Sequence, residues 1–123
     1  MPVNDTPKTN AEIRKWYLAQ VAQIPALNEQ WLAQGFSVEE RAKMAWQIRH
    51  DARLEARKMM ADAEEVEMLR SRDVAEHGNE DGPTFVSLID KCRRAGLKGN
   101  NIYEAIIKGS YRTNKGVDEK LGL

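Results

Sequence analysis

From Ser37 to Gly78 the chain runs about 40 residues with neither Pro nor an internal Gly. Nothing in that stretch breaks a helix, and its apolar residues recur at helical spacing. No sustained period-2 alternation, the mark of a half-buried strand, appears anywhere in the 123 residues. The expected class is therefore all-α, with five or six helices packed as a compact irregular bundle.

Forty residues exceed the usual globular helix. Asp62 with Glu65 offers an internal cap, so a break is expected at 61–63, leaving helices near 38–60 and 63–76. Ser37 with Glu40 is the capping box that opens the first of them. Upstream, Thr9 with Glu12 opens a helix near 10–23, carrying Ile13, Trp16, Tyr17, Val21 and Ile24 at helical spacing. Pro25 suits the first turn of a short second helix, with Leu27, Trp31 and Leu32 as its buried side and Gly35 as its stop. The run His77-Gly78-Asn79-Glu80-Asp81-Gly82-Pro83 is the clearest loop. Pro83 and Thr84 start a helix whose apolar side is Phe85, Leu88, Ile89 and Cys92, closed by Gly96. Asn101 with Glu104 reads as a third capping box, opening a helix that buries Ile102, Ala105 and Ile106. The segment from Tyr111 to Leu123 has room for one or two further helical turns. Residues 1–9, with two Pro, read as a flexible lead-in, and 10–123 as a single helical domain.

Hydrophobic residues make up 41% and charged residues 31%, the balance of a soluble globular protein rather than a disordered chain. No apolar run approaches the roughly 18 residues of a membrane span. The polar start Met-Pro-Val-Asn-Asp-Thr-Pro lacks a signal peptide's apolar segment, so the expected location is the cytoplasm, of the producing or of a recipient cell. Cys92 stands alone, which excludes an internal disulfide.

Net charge is zero but unevenly spread: residues 38–61 carry +2, 62–81 carry −6 and 82–123 carry +4. A nucleic-acid field over the whole molecule is not expected. A local basic site beside an acidic segment is compatible with this distribution. Trp46, Arg49, His50, Arg53 and Arg57 supply one: at about 100° per residue they share roughly one quadrant of a helix. Ala45, Ile48, Ala52, Ala56 and Met59 form the apolar seam beside them.

His50 is the strongest candidate for chemistry, because an unperturbed imidazole titrates near pH 6.5. Arg49 and Arg53 lie within a turn of it and favour its neutral form, the form a general base needs. Arginine also stabilises charge developing on a phosphoryl group through its planar fork. The expected catalytic group is thus His50, Arg49 and Arg53, with Trp46 and Arg57 as substrate contacts. The competing reading pairs Arg49, Arg53 and Arg57 with the acids of 62–81, or with Asp51 and Glu55. The cluster Ser110-Tyr111-Arg112-Thr113-Asn114-Lys115 offers a second set of contacts for a phosphate or a base edge, through Tyr111, Arg112 and Asn114. Cations after a helix end are also simply drawn to its carbonyl dipoles.

His77, amid Glu76, Asn79, Glu80 and Asp81, matches neither a calcium-loop nor a zinc spacing and reads as a solvated turn. No metal and no cofactor is expected. The sequence contains no glycine-rich phosphate loop, nucleophile elbow or paired-cysteine motif. Cys92 lies on an apolar helix face, where a thiol is packing.

Three stretches together are similar to a known group. They are Ala45-Trp46-Gln47-Ile48-Arg49-His50-Asp51-Ala52-Arg53-Leu54-Glu55-Ala56-Arg57-Lys58-Met59-Met60, Gly78-Asn79-Glu80-Asp81-Gly82-Pro83-Thr84-Phe85, and Ile102-Tyr103-Glu104-Ala105-Ile106-Ile107 with Arg112-Thr113-Asn114. In this order they resemble the C-terminal toxin modules of bacterial polymorphic toxins, such as those ending Rhs-repeat proteins, over about residues 37–123. The resemblance implies an effector delivered into a competing cell and neutralised at home by a cognate immunity protein. Many such modules are nucleases; others modify nucleotides or proteins. It assigns no catalytic residue here. The chain begins with its own Met and carries no delivery region, so the resemblance implies a stand-alone relative or an excised module.

Two functions of different class follow. One is a toxin acting on nucleic acid or a nucleotide without metal, through Arg49, His50 and Arg53. The other is a non-enzymatic helical interaction module, a regulator or immunity-type partner, that docks through the acidic segment 62–81. A groove-binding DNA domain built on the 38–60 helix is a third, opposed by the zero net charge.

Overall fold

The structure, a computed structural model, describes residues 8–111 and 116–123. Among the described residues there are seven helices: α1 (Asn10–Val21), α2 (Ile24–Ala33), α3 (Val38–Met59), α4 (Ala63–His77), α5 (Phe85–Arg94), α6 (Asn100–Lys108) and α7 (Gly116–Leu121). Six of them run from 9 to 22 residues, and α7 has only six. The all-α bundle read from the sequence is what the chain forms. Within the described residues there is no strand, only an isolated bridge between Lys8 and Met60.

Local chemistry sets most helix starts. Thr9 and Glu12 form a reciprocal capping box at α1, and Ser37 and Glu40 form another at α3. Asp62 accepts from the backbone N–H groups of Glu64 and Glu65, so the long helical run breaks where its internal cap lies. Met60 is extended at that break, and its neighbour Met59 accepts a hydrogen bond from the N–H of Lys8 at 3.1 Å. Part of the expected lead-in is thereby tied to the corner between α3 and α4. At α5 an unforeseen box forms between Thr84 and Ser87.

Two expectations are corrected. Asn101 and Glu104 form no capping box: α6 starts two residues earlier, behind Gly99 at φ +57°, and Asn101 is already inside the helix. Leu32 is 57% exposed, not buried. Ile24 is the fully buried residue of α2, with Leu27 and Trp31 half-buried at three- and seven-residue spacing from it. Leu32 is one step, about 100°, further round the helix.

The spine is α3, about 33 Å long at 1.5 Å per residue. Ala42, Ala45, Ala52 and Ala56 are buried along it, and their small side chains let other helices approach closely. Its C-terminal half packs with Ile13 and Tyr17 of α1, Leu69 of α4, and Val117 and Leu121 of α7. Its N-terminal half packs with Leu88 and Cys92 of α5 and Ile102 and Ile106 of α6. Trp46, Phe85 and Tyr111 lie against that second cluster. No helix among the described residues is long and apolar enough to cross a membrane.

A buried and an exposed apolar residue make a quantitative contrast. Ile13 is wholly buried, so Ile13→Ala is expected to lower unfolding free energy by about 2–5 kcal/mol. Leu32→Ala should change it by less than about 0.5 kcal/mol, as at an exposed helix position. Urea titration of both variants measures the difference.

Candidate functional site

The arginines of α3 fan out from one helix to three destinations. Arg49 reaches α6: its Nη1 donates to the Ile106 carbonyl at 2.6 Å and its Nη2 to the Ile107 carbonyl at 2.9 Å. These carbonyls belong to the last turn of α6, where four have no partner within the helix and the dipole favours a cation. The guanidinium fits because residue 109 is glycine. A Cβ there would lie 2.8 Å from Arg49 Nη2, and the backbone at φ +76° disfavours side chains as well.

Arg57 reaches α4 and the turn after it. Its Nη1 lies 3.0 Å from Asp73 Oδ2 in a buried ion pair, and its Nη2 donates to the Glu80 carbonyl at 3.0 Å. Burial pushes the Asp73 carboxyl up, while the Arg53 and Arg57 cations pull it down. The turn closes over this pair at Gly82, φ +82°, where a Cβ would lie 2.9 Å from the Asp73 carboxylate carbon. Asn79 organises the turn: its Oδ1 accepts from the Asp81 N–H at 2.8 Å and its Nδ2 donates to the Gly82 carbonyl at 2.9 Å.

Between these two lie His50 and Arg53. The His50 ring stacks on Trp46, centroids 4.7 Å apart and planes 17° from parallel. Trp46 in turn meets Phe85 at 5.9 Å, tilted by 55°. His50 Nδ1 is 2.6 Å from Arg53 Nη2. A guanidinium only donates, so Nδ1 is the acceptor and the neutral ring carries its proton on Nε2. Burial lowers the His50 pKa, and the Arg53 cation lowers it further; Asp51 and Asp81 act in the opposite sense.

Arg53 is only 5% exposed. Its Nη2 also makes a longer contact, 3.5 Å, with the Asp81 carbonyl. Its Nη1 has no hydrogen-bond partner among the described residues. Burial pulls its pKa down; Asp73, Asp118 and Tyr17 raise it. A buried guanidinium N–H without an acceptor is rare, because the group loses water and gains nothing in return.

The site read from the sequence is thus brought together in part. Trp46, His50 and Arg53 form one contiguous group. Arg49 and Arg57 flank it, each bonded to the fold. Tyr111 is half-buried against the second core cluster, which Trp46 also packs against. Arg112 and Asn114 lie outside the described residues. Asp51 and Glu55, offered as local partners of the arginines, bind elsewhere: Asp51 accepts from Gln47 Nε2 at 2.8 Å, and Glu55 lies 3.9 Å from Lys58 Nζ. His77 lies 3.7 Å from Glu76, and no group of three or more metal-binding side chains occurs among the described residues.

Sequence reasoning missed Asp73, Gly82 and Gly109. Asp73 was visible only as one acid among the eight of 62–81. It is the acid that falls on the face of α4 turned to α3, next to the buried Leu69 one turn earlier.

Comparisons with protein-family profiles, with characterised proteins and with solved structures each find no match.

Two measurements probe this geometry. Asp73→Asn leaves the Arg57 cation buried without its counter-charge and should cost about 3–5 kcal/mol in urea unfolding. The His50 contribution to stability is fully present above its unfolded pKa, about 6.5. It is lost as pH falls below that, because the unfolded ring takes up its proton first. A urea midpoint that drops from pH 7 toward pH 5 is expected, with a shallower drop in His50→Gln, whose amide oxygen can still accept from Arg53.

Proposed function

We propose that this chain is a bacterial antagonism toxin domain acting on nucleic acid or a nucleotide, with His50 and Arg53 at its centre. The observation that carries this reading is the unsatisfied Nη1 of the buried Arg53, beside a neutral imidazole. Arg53 Nη1 has almost no surface open to solvent, so a phosphoryl oxygen reaches its N–H groups only once the covering groups part; a cation in such a low-dielectric site then holds that oxygen strongly. The resemblance of 45–60, 78–85 and 102–107 with 112–114 to polymorphic-toxin modules supports the effector class. A cognate immunity protein is the partner that class implies, and the cytoplasm of the producing or recipient cell the place of action.

The geometry refines the chemistry. The Nδ1 lone pair is engaged by Arg53, so the ring as it stands offers a donor, Nε2–H, rather than a base. It therefore serves as a hydrogen-bond donor to charge developing on a phosphoryl or leaving oxygen. Arg49 and Arg57 hold α6 and α4 in register around this pair and act as positioning residues. Trp46 fixes the ring plane by stacking.

A second reading is favoured by a different observation. The outer face of α4 exposes Glu64, Glu67 and Glu76 around Met68 and Val74, with Met68 60% exposed. Arg70 and Arg72 pair with Glu67 and Glu76, but α4 keeps an excess of acids, and with the exposed apolar residues this suits a basic protein partner, as an interaction module of regulator or immunity type would require.

Expression in a bacterium from a tightly repressed promoter separates the two. Growth arrest with degraded nucleic acid or depleted nucleotide is expected, and His50→Ala should abolish it while lowering stability by no more than about 1–2 kcal/mol. Arrest that survives His50→Ala would remove His50 from the site. Healthy growth with folded wild-type protein would leave the interaction module as the better account.

A further inference from the structure

A cavity of about 550 Å³ opens between the C-terminal half of α3, the middle of α4 and the 80–81 turn. It is lined by three cations, Arg57, Lys58 and Arg70, by two acids, Glu80 and Asp81, and by the apolar Leu54 and Val66. The volume falls in the range of small-molecule sites, roughly 300–1,000 Å³, and is too small for a duplex.

The charged groups differ in how firmly they are held. Arg57 is fixed by Asp73 and the Glu80 carbonyl. Lys58 and Arg70 make only exposed pairs on their own helices, at 3.9 Å to Glu55 and 3.2 Å to Glu67. Such pairs contribute little, so both side chains are free to turn toward a ligand. The Glu80 and Asp81 carboxylates form no ion pair or hydrogen bond among the described residues. They are acceptors on residues that line the same cavity as Arg57, Lys58 and Arg70.

We propose that this cavity binds the ribose-phosphate portion of a free mononucleotide. The phosphate lies on Lys58 and Arg70, and the ribose hydroxyl groups donate to Glu80 and Asp81. Two neighbouring carboxylates suit a vicinal diol, because each hydroxyl supplies a donor and neither adds charge. The same carboxylates repel a polyanion, which favours a monomer over a nucleic-acid strand. Leu54 and Val66 receive the C–H face of the sugar. The inference rests on the nucleotide branch of the reading above and narrows it to a small substrate or effector.

The test is an NMR titration of the full chain with AMP, 2′-deoxy-AMP, adenosine and inorganic phosphate at millimolar concentration. AMP should shift the amide signals around Lys58, Arg70 and 80–81 together, and bind more tightly than the other three. Lys58→Ala with Arg70→Ala should weaken AMP about tenfold or more, the loss of a charge-assisted contact. Glu80→Gln with Asp81→Asn should bring AMP and 2′-deoxy-AMP to equal affinity while strengthening inorganic phosphate, since the opposing charge is gone. All four side chains reach solvent, and an unchanged melting temperature verifies the fold of each variant.

The proposal is overturned by any of three results: no shift with AMP, AMP binding unchanged in Lys58→Ala with Arg70→Ala, or 2′-deoxy-AMP, adenosine or inorganic phosphate binding the wild type as tightly as AMP. Growth arrest with degraded nucleic acid but no AMP binding would sink the cavity assignment and leave the toxin reading standing. AMP binding with healthy growth would do the reverse.

Discussion

Taking the Arg57 guanidinium out of water costs several kcal/mol, and the Asp73 carboxylate 3.0 Å away offsets that cost only while α4 lies against α3. The orientation of α4, the second-longest helix, therefore depends on a charge pair as well as on Leu69 and the half-buried Val66. The turn at 79–82 follows from the same interaction. Its Glu80 carbonyl takes the other arm of Arg57, and Gly82 leaves room for the carboxylate beneath. Removing that pair would disturb an ion, a helix and a turn together.

The stripe of α3 shows how one chemistry on one helix face can serve three ends. Arg49 caps the end of α6, Arg57 neutralises Asp73, and Arg53 between them meets a histidine instead of an acid. Arg49 and Arg57 have acceptors enough for the fold, and Arg53 has both N–H groups of Nη1 left over. That difference separates support from candidate chemistry within a face that looks uniform. It also alters the part His50 can take, since its lone pair is already engaged.

Helices were legible where their signals are local. Thr9 with Glu12 and Ser37 with Glu40 act over three residues, and the break at Asp62 lies where its own cap predicts. Asn101 with Glu104 has the same spacing and fails, because the backbone at Gly99 starts the helix first. Leu32 fails for a neighbouring reason: a short helix has one buried row, and Ile24 sets it. That Arg57 would meet an acid of 62–81 was legible, though not that the acid is Asp73; the fates of Arg49 and Arg53 were not. They depend on where α4 and α6 return to α3, and Arg57 is 16 residues from Asp73 while Arg49 is 57 from Ile106. Spacing along one helix places a side chain on a face; it does not say what will lie across from that face.

The gap at residue 109 ties two distant positions together. Any side chain there would displace the guanidinium of Arg49, and a shortened residue 49 would take the side-chain donors from the Ile106 and Ile107 carbonyls and leave an empty slot beside the glycine. Glycine and arginine at these sites thus act as one steric unit, and a change at either is felt at the other.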